Sequence, residues 1–338
     1  MLPWLFAVIL CCAPAPRAAA QDAKPFLGYW ALTIPGGGAG WLGVESAASG
    51  LKASLLWGGG SVVPVDGVKV DGDKLVVTRL HKSGKNVTTE TITATRAGDR
   101  LSLTTSMLRP DGKVEGQADF QGKLIPPVPA KPVLAKVKFG AAIPLFNGRD
   151  LTGWKPLDAG AANGWSAQGG VLVNDPKQEE GKPHRNYTNL RTEREFEDFR
   201  LTIEARPTKG SNSGIYLRGI YEVQVLDSYG KPLDPHNMGA IYSRITPSVA
   251  AEKPAGEWQT LDITLVARHA TVILNGKTII DNQPVLGCTG GALWSDQFRP
   301  GPLYLQGDHS QIEYRNIVLR PVVKYTTRGL DCYVCFGE

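Results

Sequence analysis

The chain has 338 residues, 42% hydrophobic and 20% charged, with a formal net charge of +5. That length suits two domains of about 100–200 residues each. The 37 basic residues are dispersed rather than clustered, which excludes the electrostatic footprint of a nucleic-acid binder.

Residues Met1 to Ala20 read as a secretory signal: Leu5 to Cys12 is an apolar core, and Ala18-Ala19-Ala20 precedes Gln21 as an A-x-A cleavage site. Pro14, Pro16 and Arg17 end the apolar run before it could span a bilayer. Lipidation at Cys11 or Cys12 is the competing fate, but Leu10 is not the small residue such a site wants. No later segment has 18 uninterrupted apolar residues, so the expectation is an exported protein without a transmembrane span, periplasmic or extracellular, with outer-membrane association left open.

Short alternating runs with Gly, Asn and Asp turns between them recur through the rest of the chain, and helical periodicity is nearly absent. The pattern is all-β. A first block, residues 22–125, holds expected strands at Lys52–Leu56, Lys74–Arg79, Thr89–Ala94, Arg100–Ser106 and Gly116–Lys123, with turns at Asp71-Gly72, Gly98-Asp99 and Asp111-Gly112. It suits a small β-barrel or β-sandwich. Its glycine triplets, Gly36 to Gly38 and Gly58 to Gly60, lack the Lys-Ser/Thr of a phosphate loop. Residues 126–140 carry Pro126, Pro127, Pro129 and Pro132 and read as an extended linker. The second block, residues 141–321, has about nine expected strands, Val171–Asn174, Arg200–Arg206, Gly214–Leu217, Tyr221–Leu226, Thr260–Arg268, Ala270–Leu274, Lys277–Asp281, Leu303–Gln306 and Gln311–Leu319, and Asn275-Gly276 between two of them is a hairpin signal. Residues 322–338 form a tail with Cys332-x-x-Cys335, which in an oxidising compartment suits a local disulfide.

The most informative stretch is Asn212 to Asp227, NSGIYLRGIYEVQVLD. It reads as strand, turn at Arg218-Gly219-Ile220, strand. Strand alternation puts Glu222 and Gln224 on one face and Tyr221, Val223 and Val225 on the other. A solvated polar face would give the same pattern. With Asn212, Arg218 and Asp227 close by, the group suits a hydroxyl-rich ligand such as a sugar.

Seven pieces of the second block, in order, resemble the 3-keto-disaccharide hydrolase family, a bacterial domain with a concanavalin/laminin-G-like jelly-roll sandwich. They are LFNGRDLTGW, GWSAQGGVLV, TNLRTEREFEDFRLTIEAR, SNSGIYLRGIYEVQVLDSYG, MGAIY, KPAGEWQTLDITLVARHATVILNG and LYLQGDHSQIEYRNIVLRP. The resemblance implies cleavage of the glycosidic bond of 3-keto-glycosides or disaccharides. A C3 ketone acidifies the C2 proton, so a base can form an enolate and the C1 substituent can leave, with water adding afterwards. Such a site needs a base near C2, a positive group or metal at the enolate oxygen, and an acid near the leaving group.

On that reading the catalytic candidates are Glu222, Arg218 and His309. Glu222 is the base or a metal ligand, Arg218 binds the keto or enolate oxygen, and His309 moves a proton or ligates metal. Substrate-binding candidates are Asn212, Gln224, Asp227, Tyr242, Trp294 and Gln306. Turn capping competes with function at Asp227, and Trp294 is a candidate stacking ring for a pyranose. His236 could close over substrate. A divalent metal is an expected cofactor, with Glu222, His309 and His184 as candidate ligands, though no H-E-x-x-H spacing marks a metal site. No Ser/His/Asp order stands out, and Cys288 has no evident base partner. The rival function is a non-catalytic lectin-like module using the same polar face.

Overall fold

The computed structural model describes residues 23–48, 50–84, 86–109, 111–327 and 330–333. The leader expected at Met1–Ala20 and Cys335 of the tail motif lie outside the described residues. Among the described residues there is no α-helix, only two 3-10 turns at Lys24–Phe26 and Leu134–Lys136. Among the described residues no helix is long and apolar enough to cross a membrane.

Among the described residues of the first block, nine strands form one antiparallel sheet. They are Gly28–Thr33, Ala39–Ala47, Gly50–Trp57, Val63–Pro64, Gly67–Asp71, Lys74–Ser83, Asn86–Ala97, Arg100–Leu108 and Val114–Ile125. Chain neighbours pair, except Val63–Pro64 with Gly67–Asp71, and the first strand also pairs with the last, Tyr29 opposite Ile125. At the opposite seam Gly50–Trp57 comes beside Gly67–Asp71. The sheet is therefore curled into a barrel, not split into a sandwich. Alternation explains the curl: Leu75 and Val77, Ile92 and Ala94, Leu101 and Leu103 all point inward around the fully buried Trp30.

The second block is a jelly-roll sandwich of two antiparallel sheets. One runs Trp165–Gln168, Val171–Asn174, Ile312–Thr327, Phe199–Pro207, Gln259–Val266, His269–Leu274 and Lys277–Pro284. The other runs Trp154–Pro156, Leu190–Phe196, Gly301–Leu305, Asn212–Leu217 and Tyr221–Leu226. Leu201, Ile203, Leu261 and Ile263 of the first sheet share one core with Ile215, Val223, Leu303 and Leu305 of the second. The Asn275-Gly276 hairpin forms as its sequence demands, with positive φ at both residues (50° and 81°) and Leu274 opposite Lys277. The last long strand runs on to Thr327, past the expected end of the block, and pairs with Leu330–Tyr333.

Residues 126–140 do not swing free. Arg268 Nη2 donates to the carbonyls of Pro126 (3.0 Å) and Pro127 (2.6 Å), and Asn282 Nδ2 donates to that of Pro132 (2.9 Å). Barrel and sandwich also share apolar surface, because Ala39, Trp41, Leu56 and Ile125 belong to the sandwich core. Trp41 is a central member of this contact. Its Nε1 donates to Leu286 O at 2.9 Å, its ring stacks on Tyr29, and the Arg244 guanidinium lies 4.1 Å over it. Truncating a packed Trp costs about 3–5 kcal/mol. Trp41→Ala is therefore expected to lower stability by about that much and to split one denaturant transition into two, read by fluorescence and circular dichroism.

Candidate functional site

The hairpin Asn212–Leu217/Tyr221–Leu226 lies at the edge of the smaller sheet. Its register places Gly214 opposite Gln224 and Tyr216 opposite Glu222. One face carries Ile215, Leu217, Tyr221, Val223 and Val225 into the core. The other carries Asn212, Tyr216, Glu222 and Gln224. That second face is not bathed in solvent: nearly the whole hairpin is buried. The segment after Asn237 explains part of this, since Gln224 N donates to Ala240 O, Gly239 N to Gln224 O and Tyr242 N to Glu222 O.

A cavity of about 370 Å³ opens over this face. Asn189, Asn212, Tyr216, Glu222, Tyr242, Tyr304, Gln306, Asp308 and His309 line it, together with Gly290-Gly291 and, from the barrel, Gly59-Gly60. Its size falls within the roughly 300–1,000 Å³ of small-molecule sites.

Glu222 is the chemical centre. It is only 4% exposed. Its carboxyl fits because residue 214 has no side chain: a Cβ there would lie within contact of Glu222 Oε1 and Cδ. Tyr216 Oη lies 2.8 Å from Glu222 Oε2 and 2.8 Å from Gly290 O. Tyr216 in turn stacks on Tyr304 (centroids 3.8 Å apart, 13° between planes), whose hydroxyl donates to Gly291 O at 2.6 Å. Burial pushes the Glu222 carboxyl up from 4.5 to about 8, against the Tyr216 hydrogen bond and the His309 charge, which favour the carboxylate. When Glu222 is protonated it can donate to Tyr216 Oη while Tyr216 donates to Gly290 O. When it ionises, the single tyrosyl proton serves the carboxylate.

His309 sits at the rim, with its side chain 46% exposed and its Nδ1 2.8 Å from Asp308 Oδ1. That hydrogen bond holds its imidazole above the usual 6.5. A base-capable carboxyl at the floor and a proton-rich imidazole at the rim thus share one cavity. Gln306, which lines the cavity, has no protein partner for its Oε1; Gln224 is not among the lining residues, and it is buried with its Nε2 donating to Asn212 Oδ1 at 3.2 Å and its Oε1 unpartnered.

Other expected site residues lie elsewhere. Arg218 is 2% exposed and turned away from the cavity; its Nη2 donates to Gln297 O (2.9 Å) and Arg299 O (2.6 Å). It holds a turn whose central residues both have positive φ, Arg218 at 55° and Gly219 at 69°, so its neighbourhood in sequence does not carry over to space. Asp227 accepts from Gly210 N at 2.8 Å and caps a turn. Trp294 is half-buried with the Arg299 guanidinium 3.8 Å over its ring, away from the cavity. His184 lies exposed in a loop away from the cavity. His236 does not reach the cavity lining. Its Nδ1 meets Asp234 Oδ1 at 2.6 Å and its Nε2 meets Ser61 Oγ of the barrel at 2.8 Å. Ser61, His236 and Asp234 thus stand in series across the two blocks, an arrangement that chain order concealed. Cys288 is buried and free, and burial pushes its thiol up to about 11.

The expected metal fits poorly. Glu222 and His309 face the same cavity, but among the described residues no three His, Cys, Asp or Glu side chains come together as ligands. Sequence reading passed over Tyr216, Tyr304, Asp308 and Asn189. The signal for Tyr216 was available, since it falls on the Glu222 face by strand alternation.

The family model of the 3-keto-alpha-glucoside-1,2-lyase-like domain matches residues 141–320. Comparison with curated proteins gives no match. Among solved structures, a candidate glycosyl hydrolase of Parabacteroides distasonis is 32% identical, with 59% of this chain and 94% of that one covered and a TM-score of 0.45. A second candidate glycosyl hydrolase of that organism is 24% identical over 54% of this chain and all of its own, with a TM-score of 0.41. A carbohydrate-binding module of Bacillus subtilis is 12% identical over 49% of this chain and 93% of its own, with a TM-score of 0.31.

Because the folded-state value of Glu222 lies above its unfolded value, the native state holds this proton more tightly. The cost of ionising it is absent below pH 4.5 and complete above about pH 8. Between pH 4 and 9 the wild type should therefore lose on the order of 3–5 kcal/mol relative to Glu222→Gln. Urea unfolding at a series of pH values checks this; parallel profiles for the two proteins would contradict it.

Proposed function

The chain belongs to the 3-keto-alpha-glucoside-1,2-lyase-like family, and from that membership and the Glu222 cavity we propose that it cleaves the glycosidic bond of a 3-keto-glycoside by elimination. The observation that carries the reading is a desolvated carboxyl whose pKa is raised to about 8, at the floor of a sugar-sized cavity. A carboxylate matched to proton abstraction near neutral pH has this property. A lectin-like module has no need of a desolvated acid.

In the proposed reaction the Glu222 carboxylate removes the C2 proton. The C–H electron pair forms the C2=C3 bond, and the negative charge moves to the C3 oxygen. As the carbonyl re-forms, a C1=C2 bond forms and the C1–O bond breaks. The leaving oxygen takes a proton from His309, which its partner Asp308 keeps above the usual imidazole range. Addition of water, hydroxyl to C1 and proton to C2, completes a net hydrolysis. Arg218 is not at hand for the enolate oxygen; the carboxamides of Asn189, Asn212 and Gln306 and the Tyr242 hydroxyl are neutral donors that line the cavity. No step is assigned to a metal. The setting proposed is outside the cytoplasm, on the strength of the Met1–Ala20 sequence.

Purified protein incubated with a 3-keto-disaccharide should release the second sugar, followed by mass spectrometry. Glu222→Gln, which keeps shape and an acceptor for Tyr216, should reduce turnover by about 10²–10⁴ while retaining binding. Binding of the intact sugar without release by the wild type would instead make this a lectin-like module. The same assay after chelation decides whether a metal contributes. Tyr216→Phe removes a hydrogen bond that favours the carboxylate, so the Glu222 pKa should rise further. A rise of one unit would cut activity about tenfold at pH 7, with the deficit shrinking above pH 9. A deficit constant with pH would contradict this role for Tyr216.

A further inference from the structure

One wall of the Glu222 cavity comes from the barrel. Gly59 and Gly60 line it, opposite residues that all belong to the sandwich. Their loop is fastened at several points. Gly291 N donates to Gly58 O at 3.2 Å, Val62 N donates to Ser243 Oγ at 2.9 Å, and Ser61 Oγ meets His236 Nε2 at 2.8 Å. Asp234 in turn holds His236 from its other nitrogen. At the centre the two backbones touch so closely that a Cβ on Gly290 would collide with Gly60 O. The loop is seated against the Gly290-Gly291 backbone, whose carbonyls receive the Tyr216 and Tyr304 hydroxyls. The barrel wall and the surroundings of Glu222 are thus one connected assembly.

Gly59 stands out within it. Its φ is not left-handed, so backbone geometry does not demand glycine there. A Cβ on it would meet nothing within 4 Å, so packing does not demand it either. What it borders is the cavity, of which it is a lining residue. A side chain at residue 59 would stand at the wall of that volume.

We propose that the barrel loop Gly58–Val62 is a specificity wall of the sugar site. It forms part of the wall of the cavity that the half-exposed His309 and Asp308 also line, and it restricts the ligand to a short glycoside. This rests on the proposed 3-keto-glycoside reaction for its substrate class. The barrel is then part of the site, and not a separate binding or attachment module. The polar backbone of Gly59-Gly60 faces the ligand without the bulk that would fill a 370 Å³ cavity.

Two variants at one position test it. Gly59→Leu should fold as the wild type does, with an unchanged thermal midpoint, and should raise KM for a 3-keto-disaccharide at least tenfold while kcat stays within about threefold. An unchanged KM overturns the wall. Gly59→Cys gives a readout that does not need turnover. Alkylation of the introduced thiol by iodoacetamide, mapped by mass spectrometry, should slow at least fivefold when the 3-keto-disaccharide saturates the site. Alkylation indifferent to the sugar overturns the proposal. Protection without turnover in the wild type keeps the wall and removes the reaction. Turnover with neither effect keeps the reaction and removes the wall.

Discussion

The site depends on a single carboxylate kept out of water. An isolated charge in an apolar environment is costly, and a protein usually answers by pairing it or by holding it neutral. Here Glu222 has a tyrosine and no basic partner within the hairpin. Arg218, four residues earlier, is committed to the carbonyls of Gln297 and Arg299. The carboxyl therefore holds its proton up to about pH 8. Much of the surrounding structure keeps that state: the missing side chain at Gly214, the Tyr216–Tyr304 stack, the Gly290-Gly291 carbonyls and the barrel loop that packs on the same dipeptide's backbone.

Each of these supports comes from a different part of the chain. The hairpin supplies the carboxyl and its tyrosine, and the strand Gly301–Leu305 supplies the stacking ring. Residues 289–291 supply the carbonyls, and the barrel supplies the far wall. The barrel's apolar contact through Trp41 and the pinned segment at Pro126 and Pro127 hold that wall in register with the sandwich. Stability and site geometry are thereby linked, since loosening the seam between the two blocks would move a surface that touches the ligand's volume.

The strands with clean alternation and punctuating turns were legible in the sequence. Val171–Asn174 and Tyr221–Leu226 fall where the pattern puts them, and Asn275-Gly276 closes its hairpin. Leu190–Phe196 was hidden because LRTEREF has only Leu190, Thr192 and Phe196 buried, with three successive exposed residues before Phe196. Glu222 was legible because period-2 alternation sets it opposite the core residues. Arg218 and Asp227 misled because nearness along a hairpin includes residues at its turn and its end, which point elsewhere. Tyr216 and Tyr304 could be read as core aromatics; only the pairing of strands 88 residues apart makes them a stack. The link from Ser61 to His236 spans 175 residues and joins loops of the two blocks, and no local pattern announces it.

The most direct measurement follows the C2 hydrogen. Wild-type protein and a 3-keto-disaccharide in D2O, sampled early against an enzyme-free blank, should give a released keto sugar with one deuterium at C2, and Glu222→Gln should give neither release nor label above the blank. Release of the second sugar with C2 still carrying its original hydrogen would contradict the account, because the bond would then be broken without the proton transfer for which the buried Glu222 is held ready.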